Sequence, residues 1–481
     1  MSVLQRRIHP TWHFTLLCVG MVIGVFGAKY IPGEWGMVTL FVGGILGLIA
    51  IASQRQWLLG MALIGGILIG LTRGGAVGVE LSKYEMLFGR QIEVSGKVQD
   101  DTDTNARGQK ILKISDISIY GTSLPGVAWA TTSDTRTIKR SDRVVITGKV
   151  SEGFGNFPIT LYNAKIVSAE REVPGDVALE LRDTIAEGVR LSIPEPAASL
   201  GIGYLLGQKS VLPRELEEAL VVTGLTHIVV ASGYNLTILV RVARRLFEKI
   251  SKYLTALISG GMIAGFIAIT GLSPSMSRAG LVAGLSLWAW YYGRKFHPIT
   301  LLFFAMSVTL LVNPAYAWGD IGWALSFAAF AGVMLLAPIL QAYFWGEHEP
   351  SFLGKLVVET IAAIITTMPI TIAVFGQLSI IAIFANLVIV PFVPLAMLLV
   401  LIAGVGGVLW GESAAIFAVP AKAVLSIMTN IIEWCSQIPW AQLTLSISWE
   451  GVVTSYLLLF LIGWYMAKKS HVRLRDTSLV E

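Results

Sequence analysis

Hydrophobic and polar positions sort the chain into zones. Residues 1–75 hold three apolar runs, Trp12–Ala28, Trp35–Ala52 and Trp57–Leu71, each near the length that crosses a bilayer as a helix. Residues 80–172 behave differently. Gln91–Val98 (QIEVSGKV) and Ile111–Tyr120 (ILKISDISIY) alternate with period two, and Arg143–Val150 and Thr160–Val167 do the same. Clusters of Gly, Asp, Asn and Pro separate these runs. The pattern predicts about five short antiparallel strands and a small barrel, the OB type being one option. Residues 173–196 read as a linker with an amphipathic helix, Asp176–Leu191. From 197 to 467 the chain is apolar again and divides into about nine spans, among them Leu220–Val240, Met276–Tyr292, Ile321–Tyr343 and Ile380–Ala403. Ala197–Gly207 is too short to cross and reads as re-entrant or interfacial, and residues 468–481 form a tail. The fold expected is a polytopic α-helical membrane protein of about 12 spans with a small extracellular all-β, OB-like domain.

Composition strengthens this reading. Of 481 residues, 54% are hydrophobic and 14% charged, whereas soluble domains carry about 25% charged residues. A soluble enzyme is excluded. The net charge of +5 would suggest nucleic acid in a soluble protein; in a membrane protein it first reflects Lys and Arg held in cytoplasmic loops. Placing Arg6, Arg7 and Arg55 inside puts the β domain outside. The same rule then puts Arg241, Arg244, Arg245, Lys249, Lys252, Arg294, Lys295, Lys355, Lys468 and Lys469 inside. The expected location is the cytoplasmic (inner) membrane, multi-pass, with both termini cytoplasmic. The first run resembles a signal peptide but lacks an Ala-x-Ala site, so it reads as a retained helix. Cys18 and Cys435 lie in apolar stretches and indicate neither a disulfide framework nor a zinc site.

Little in the sequence points to chemistry. Residues 203–210, GYLLGQKS, have a P-loop outline, but Gln208 stands where a glycine must precede the lysine, and no strand leads in. His9 and His13 form the one close histidine pair and have no acidic partner. No metal or cofactor is expected, and no catalytic residue is assigned. The densest unusual segment runs from Leu205 to Val240 and sets Thr223, Thr226, His227, Ser232, Asn235 and Thr237 in an apolar span. Polar groups at membrane depth are expensive and face a bundle interior or a watery path. Two readings stay open for them: interhelical bonding, or the lining of a path at a helix broken near Gly224 and Gly233. On a continuous helix His227 and Ser232 would stand about 140° apart, which disfavours a nucleophile–base pair. Ser275 and Arg278 at one span's mouth, Asp320 and Ser326 at the start of another, and Asn386 ahead of Pro391 extend the candidate path. An Asp320–Arg278 ion pair between helix ends is the structural alternative. In the β domain, 11 Lys/Arg stand against 8 Asp/Glu between Arg90 and Lys165. Lys110, Lys113, Lys139, Arg140 and Arg143 are candidate nucleic-acid contacts, and Trp129, Phe154, Phe157 and Tyr162 are candidate stacking or core aromatics.

The order of these pieces carries a resemblance. LLGQKSVLPREL over residues 205–216 and TGLTHIVVASG over 223–233 look like the signature of ComEC-type competence proteins, the inner-membrane channels for incoming DNA. Gly271, Pro274, Arg278 and Ala279 follow in order. Asn313 and Pro314 come next, with Asp320, Gly322, Leu325, Ser326 and Phe327, and then Pro369, Phe375, Asn386 and Pro391. The resemblance covers about residues 20–465 and implies single-stranded DNA as cargo, with His227, Ser232 and Asn235 lining or gating the path. It also implies a DNA receptor outside and a helicase-like motor inside; a homo-oligomer is compatible with it. Two departures stand out. Asn235 occupies a place where the family usually has a second histidine. Many members also carry a C-terminal metallo-β-lactamase-like nuclease domain, for which residues 468–481 leave no room, so a conduit and not an enzyme is expected. A small-molecule transporter or lipid-handling membrane protein is the alternative.

Overall fold

Glycine brings the first helices together. In the structure, a computed structural model, residues 8–470 are described apart from 32, 34, 106, 172–174, 230–232, 272, 295 and 347. The contacts divide the chain into two units, residues 1–177 with 299–323, and residues 178–298 with 324–481. Among the described residues seven helical stretches are long and apolar enough to cross a membrane, from Pro10–Ala28 to Trp449–Ser470. One of them, Ala382–Ser436, is 55 residues long.

In the first unit the helices Pro10–Ala28 and Leu59–Ser82 meet at Gly20, Gly24, Gly66 and Gly70. A Cβ on any of these would run into a carbonyl oxygen of the opposite helix: those of Leu63, Ile67, Leu17 and Met21 respectively. Small residues four apart permit this backbone approach, which replaces the absent hydrophobic driving force in lipid. The third helix runs past its expected end at Leu71. Arg73 does not terminate it, because its Nε donates to the Leu311 carbonyl (2.8 Å) and its Nη2 to that of Val312 (3.1 Å), the open C-terminal end of helix Pro298–Val312.

The β domain has strands β1 Gln91–Val98, β2 Asp103–Thr104, β3 Lys110–Ile119, β4 Thr122–Leu124, β5 Ala128–Thr132, β6 Arg143–Phe154, β7 Phe157–Leu161 and β8 Lys165–Glu170. The order β1-β3-β5-β7-β6 closes on itself through a β1–β6 pairing, and β8 adds to β6. Among the described residues, β5–β7 is the sheet's one parallel pairing. Alternation puts Ile92, Val94, Val98, Leu112, Ile114, Val144, Ile146, Val150, Ile159 and Leu161 inside. Two expectations are corrected here. Thr160–Val167 is not one strand: it breaks at a turn where Asn163 takes φ +53°, a left-handed conformation Asn tolerates. Strand β5 escaped the alternation search because four of its five residues are buried.

In the second unit, helix Val177–Ser192 is no free linker. Ala186, Val189 and Ile193 enter the main core, and Gly188 lies against Gly404 and Gly407 so closely that added Cβ atoms would meet backbone. Ala197–Gly207, expected to be re-entrant or interfacial, forms helix Ala197–Leu206 with every residue buried, which does not suit an interfacial segment. The expected span Leu220–Val240 is not a single helix. One helix stops at Val222, Gly224 turns the chain at φ +68°, Thr226–Val229 forms a short turn, and a new helix runs over Gly233–Phe247. Ile380–Ala403 stays helical past Pro391: Ala382–Ile389 and Val393–Trp410 are joined by one tighter turn, Val390–Phe392. Sequence patterning gave no sign of the antiparallel pair Gln377–Ser379 with Gln442–Thr444.

Candidate functional site

The second unit gathers three of the expected polar residues at one place. Helix Pro274–Tyr291 opens with Ser273, whose hydroxyl accepts the Met276 amide at 3.2 Å, and with proline in its first turn. That start presents Ser275 and Arg278 toward helix Ile321–Ala331. Arg278 Nε donates to Ser326 Oγ at 2.6 Å, and Ser326 Oγ lies 3.3 Å from Ser275 Oγ. The guanidinium carbon stands 6.0 Å from the centre of the Phe327 ring and 5.2 Å from that of Phe330. A guanidinium offers five N–H donors in a rigid fork and stacks on aromatic faces, so it suits a phosphate better than a lysine would. Gly233 begins the neighbouring helix here: a Cβ on it would lie 3.5 Å from Arg278 Nη2 and 3.1 Å from Ala279 Cβ.

The other candidates divide. Asn235 is fully buried and its Nδ2 donates to the carbonyls of Tyr204 (3.1 Å) and Ile228 (3.4 Å), tying three helix ends together. His227 is exposed, and its Nδ1 donates to the Gly224 carbonyl at 2.9 Å, holding the ring against the turn. That turn abuts Ser379 and Ala382, the start of the helix whose buried Asn386 donates to the Ala382 carbonyl at 2.8 Å. Ser232 lies outside the described residues. Asp320 belongs to the first unit, where Oδ2 accepts from Asn156 Nδ2 (2.6 Å) and Oδ1 from the Trp323 amide (2.7 Å). Asp320 and Arg278 are therefore each engaged within their own unit.

The barrel cations are mostly committed internally. Lys110 Nζ donates to the carbonyls of Thr135 (3.0 Å) and Arg136 (2.7 Å), and Lys113 pairs with Asp100 at 2.9 Å. Arg140 is only 6% exposed and pairs with Asp176 at 3.0 Å, which makes it a buried anchor and not a surface contact. The Lys139 amide donates to Asp142 Oδ2 at 2.8 Å, and Arg143 is an exposed residue in register with Glu170 of β8. Trp129, Phe154 and Phe157 form a triad of edge-on rings with centroids 5.3–5.4 Å apart, while Tyr162 stands exposed.

One polar group escaped the sequence. Arg182, on the amphipathic helix, is 3% exposed, donates to Asp183 at 3.2 Å, and has Nε 2.9 Å from the Gln208 side-chain amide, which presents its oxygen to the guanidinium when turned over. Its signal was an arginine on an otherwise apolar helix face. Gln208 therefore secures a buried arginine, Lys209 pairs with Glu217 at 2.6 Å, and Gly207 simply ends a helix at φ +69°, which accounts for the P-loop outline.

Apolar helices long enough to span a bilayer, together with a closed β barrel and a cationic polar cluster among the helices, define a multi-pass membrane protein. The family profile described as "Competence protein" matches residues 204–469, and the chain belongs to that family. The chain is 25% identical to ComE operon protein 3 of Bacillus subtilis (strain 168) over 229 residues, 47% of this chain and 29% of that protein. It is 24% identical to an uncharacterized protein of Aquifex aeolicus (strain VF5) over 178 residues, 37% and 42% of the two chains. The matched stretches thus cover less than half of either relative. No solved structure matches the chain.

Proposed function

We propose that the chain is an inner-membrane channel for the uptake of DNA, as a single strand, during natural transformation. The observation that carries this reading is the Ser275–Arg278–Ser326 cluster, a guanidinium bonded to the Ser326 hydroxyl and set over phenyl rings within the family-matched region. On this reading His227, held at the broken helix, lines the path. The ring order of the barrel, with its one parallel pairing, supports an OB-type domain of the kind that receives oligonucleotides. The distribution of Lys and Arg supports about 12 spans, cytoplasmic termini and an external barrel. The chain acts as a conduit and performs no chemistry of its own. A DNA receptor outside and a helicase-like motor inside complete the route.

Deleting the gene in the native host and scoring uptake of marked DNA tests the reading; undiminished transformation overturns it. His227→Ala should block uptake while the protein remains in the membrane at normal amount.

A further inference from the structure

The β6–β7 turn of the barrel and the loop ahead of Ile321 meet where neither side carries a side chain. A Cβ on Gly319 would lie 2.5 Å from the carbonyl carbon and oxygen of Gly155, and one on Gly155 would lie 3.0 Å from the Gly319 oxygen. Gly155 also takes φ +60°, whereas at Gly319 it is the close approach that excludes a side chain. The next residue on each side closes the contact, Asn156 Nδ2 donating to Asp320 Oδ2 at 2.6 Å. The other Asp320 oxygen caps the helix at Trp323, so one carboxylate both starts that helix and holds the barrel. The loop itself is rigid. Asn313 Oδ1 accepts the Ala315 amide (3.2 Å), Trp318 Nε1 donates to the Val25 carbonyl (2.9 Å) and Trp323 Nε1 to Thr309 Oγ1 (3.0 Å).

We infer that Gly155, Asn156, Gly319 and Asp320 form a latch that fixes the barrel on the 313–320 loop, and that they are positioning residues for the handover of a strand from barrel to membrane path. The consequence for handover rests on the channel reading; the latch itself does not. Burial raises the Asp320 pKa, while the Trp323 amide and Lys113 oppose the rise. Lys113, its partner Asp100 and the Tyr316 phenol are the other ionisable groups acting at this contact.

Asn156→Asp sets two carboxylates face to face. They repel at about pH 8, and at about pH 5 a shared proton restores a hydrogen bond. Combining it with Asp320→Asn exchanges amide for carboxylate and keeps the cap, since Asn caps helices as well as Asp. In the full chain, amide hydrogen exchange over 153–158 and 314–322 should rise several-fold in Asn156→Asp at about pH 8 and fall back at about pH 5 and in the exchanged pair. Gly319→Ala should raise it at both pH values. DNA uptake should drop about tenfold in Asn156→Asp and recover in the exchanged pair. Unchanged exchange in Asn156→Asp overturns the latch. Raised exchange with normal uptake overturns positioning, and an equal defect in the single and exchanged variants overturns the pairing. A wild-type chain without uptake overturns the channel reading, while the exchange measurement still decides the latch.

Discussion

Arg278 and Asn235 show how similar sequence signals lead to different duties. Both are polar residues in an apolar zone, where an unpartnered group is costly. Arg278 is held from one side by Ser326, with its guanidinium carbon 5.2 Å from the centre of the Phe330 ring. Arg278→Lys keeps a charge but loses the planar fork, so uptake should fall for both Lys and Ala, by about tenfold or more for Ala, with membrane levels unchanged. Asn235 spends its amide on two backbone carbonyls. Asn235→Ala leaves those carbonyls unpaired in the core, at about 1–3 kcal/mol. The variant should therefore melt earlier in detergent and be lost from the membrane. Normal stability with lost uptake would place Asn235 in the path.

Individual helices and strands were legible wherever one face meets a uniform surroundings. The first two runs, most of the helices after Lys252 and strands β1 and β3 fall near their expected bounds, because a single period governs each. The misses share a cause. Strand β5, buried nearly throughout, carries no alternation, and helix Ala197–Leu206 is core on every side, which speaks against the interfacial one of its two expected placements. Hydropathy alone runs across the break at Gly224, where conformation and not polarity ends the helix; the glycine itself was the signal that offered a broken helix. Glycine pairing between helices was hidden as well, since spacing shows a small face but not its partner. Gly66→Leu should push the Pro10–Ala28 and Leu59–Ser82 helices apart and lower stability by about 1–3 kcal/mol, read as earlier thermal unfolding in detergent. Gly60→Leu, where an added Cβ meets nothing within 4 Å, serves as the control expected to be near neutral.

At the scale of the whole molecule, the sequence supplied the members of the candidate site but not its grouping. Ser275, Arg278 and Ser326 converge because two helices set side chains some 50 positions apart against each other. Asp320, six residues before Ser326, serves the barrel contact. No periodicity separates those roles. Sidedness is a property of the entire chain and can be read chemically. Cys18 and Cys435 are both buried, so an added surface thiol has little background. Tyr120→Cys, at a position 78% exposed on the barrel, should react with a membrane-impermeant maleimide in intact cells. Labelling only after lysis would put the barrel inside.

The guanidinium held between Ser326 and Phe330 also bears on energetics across the membrane. A phosphate strand drawn inward moves against an inside-negative voltage and loses about 2.3 kcal/mol per charge for each 100 mV. A cation that stays in place lowers the highest point of that climb but leaves its total height unchanged. On the channel reading, Arg278 therefore sets how fast a strand crosses, and the work of bringing it in falls to whatever pulls from the cytoplasm.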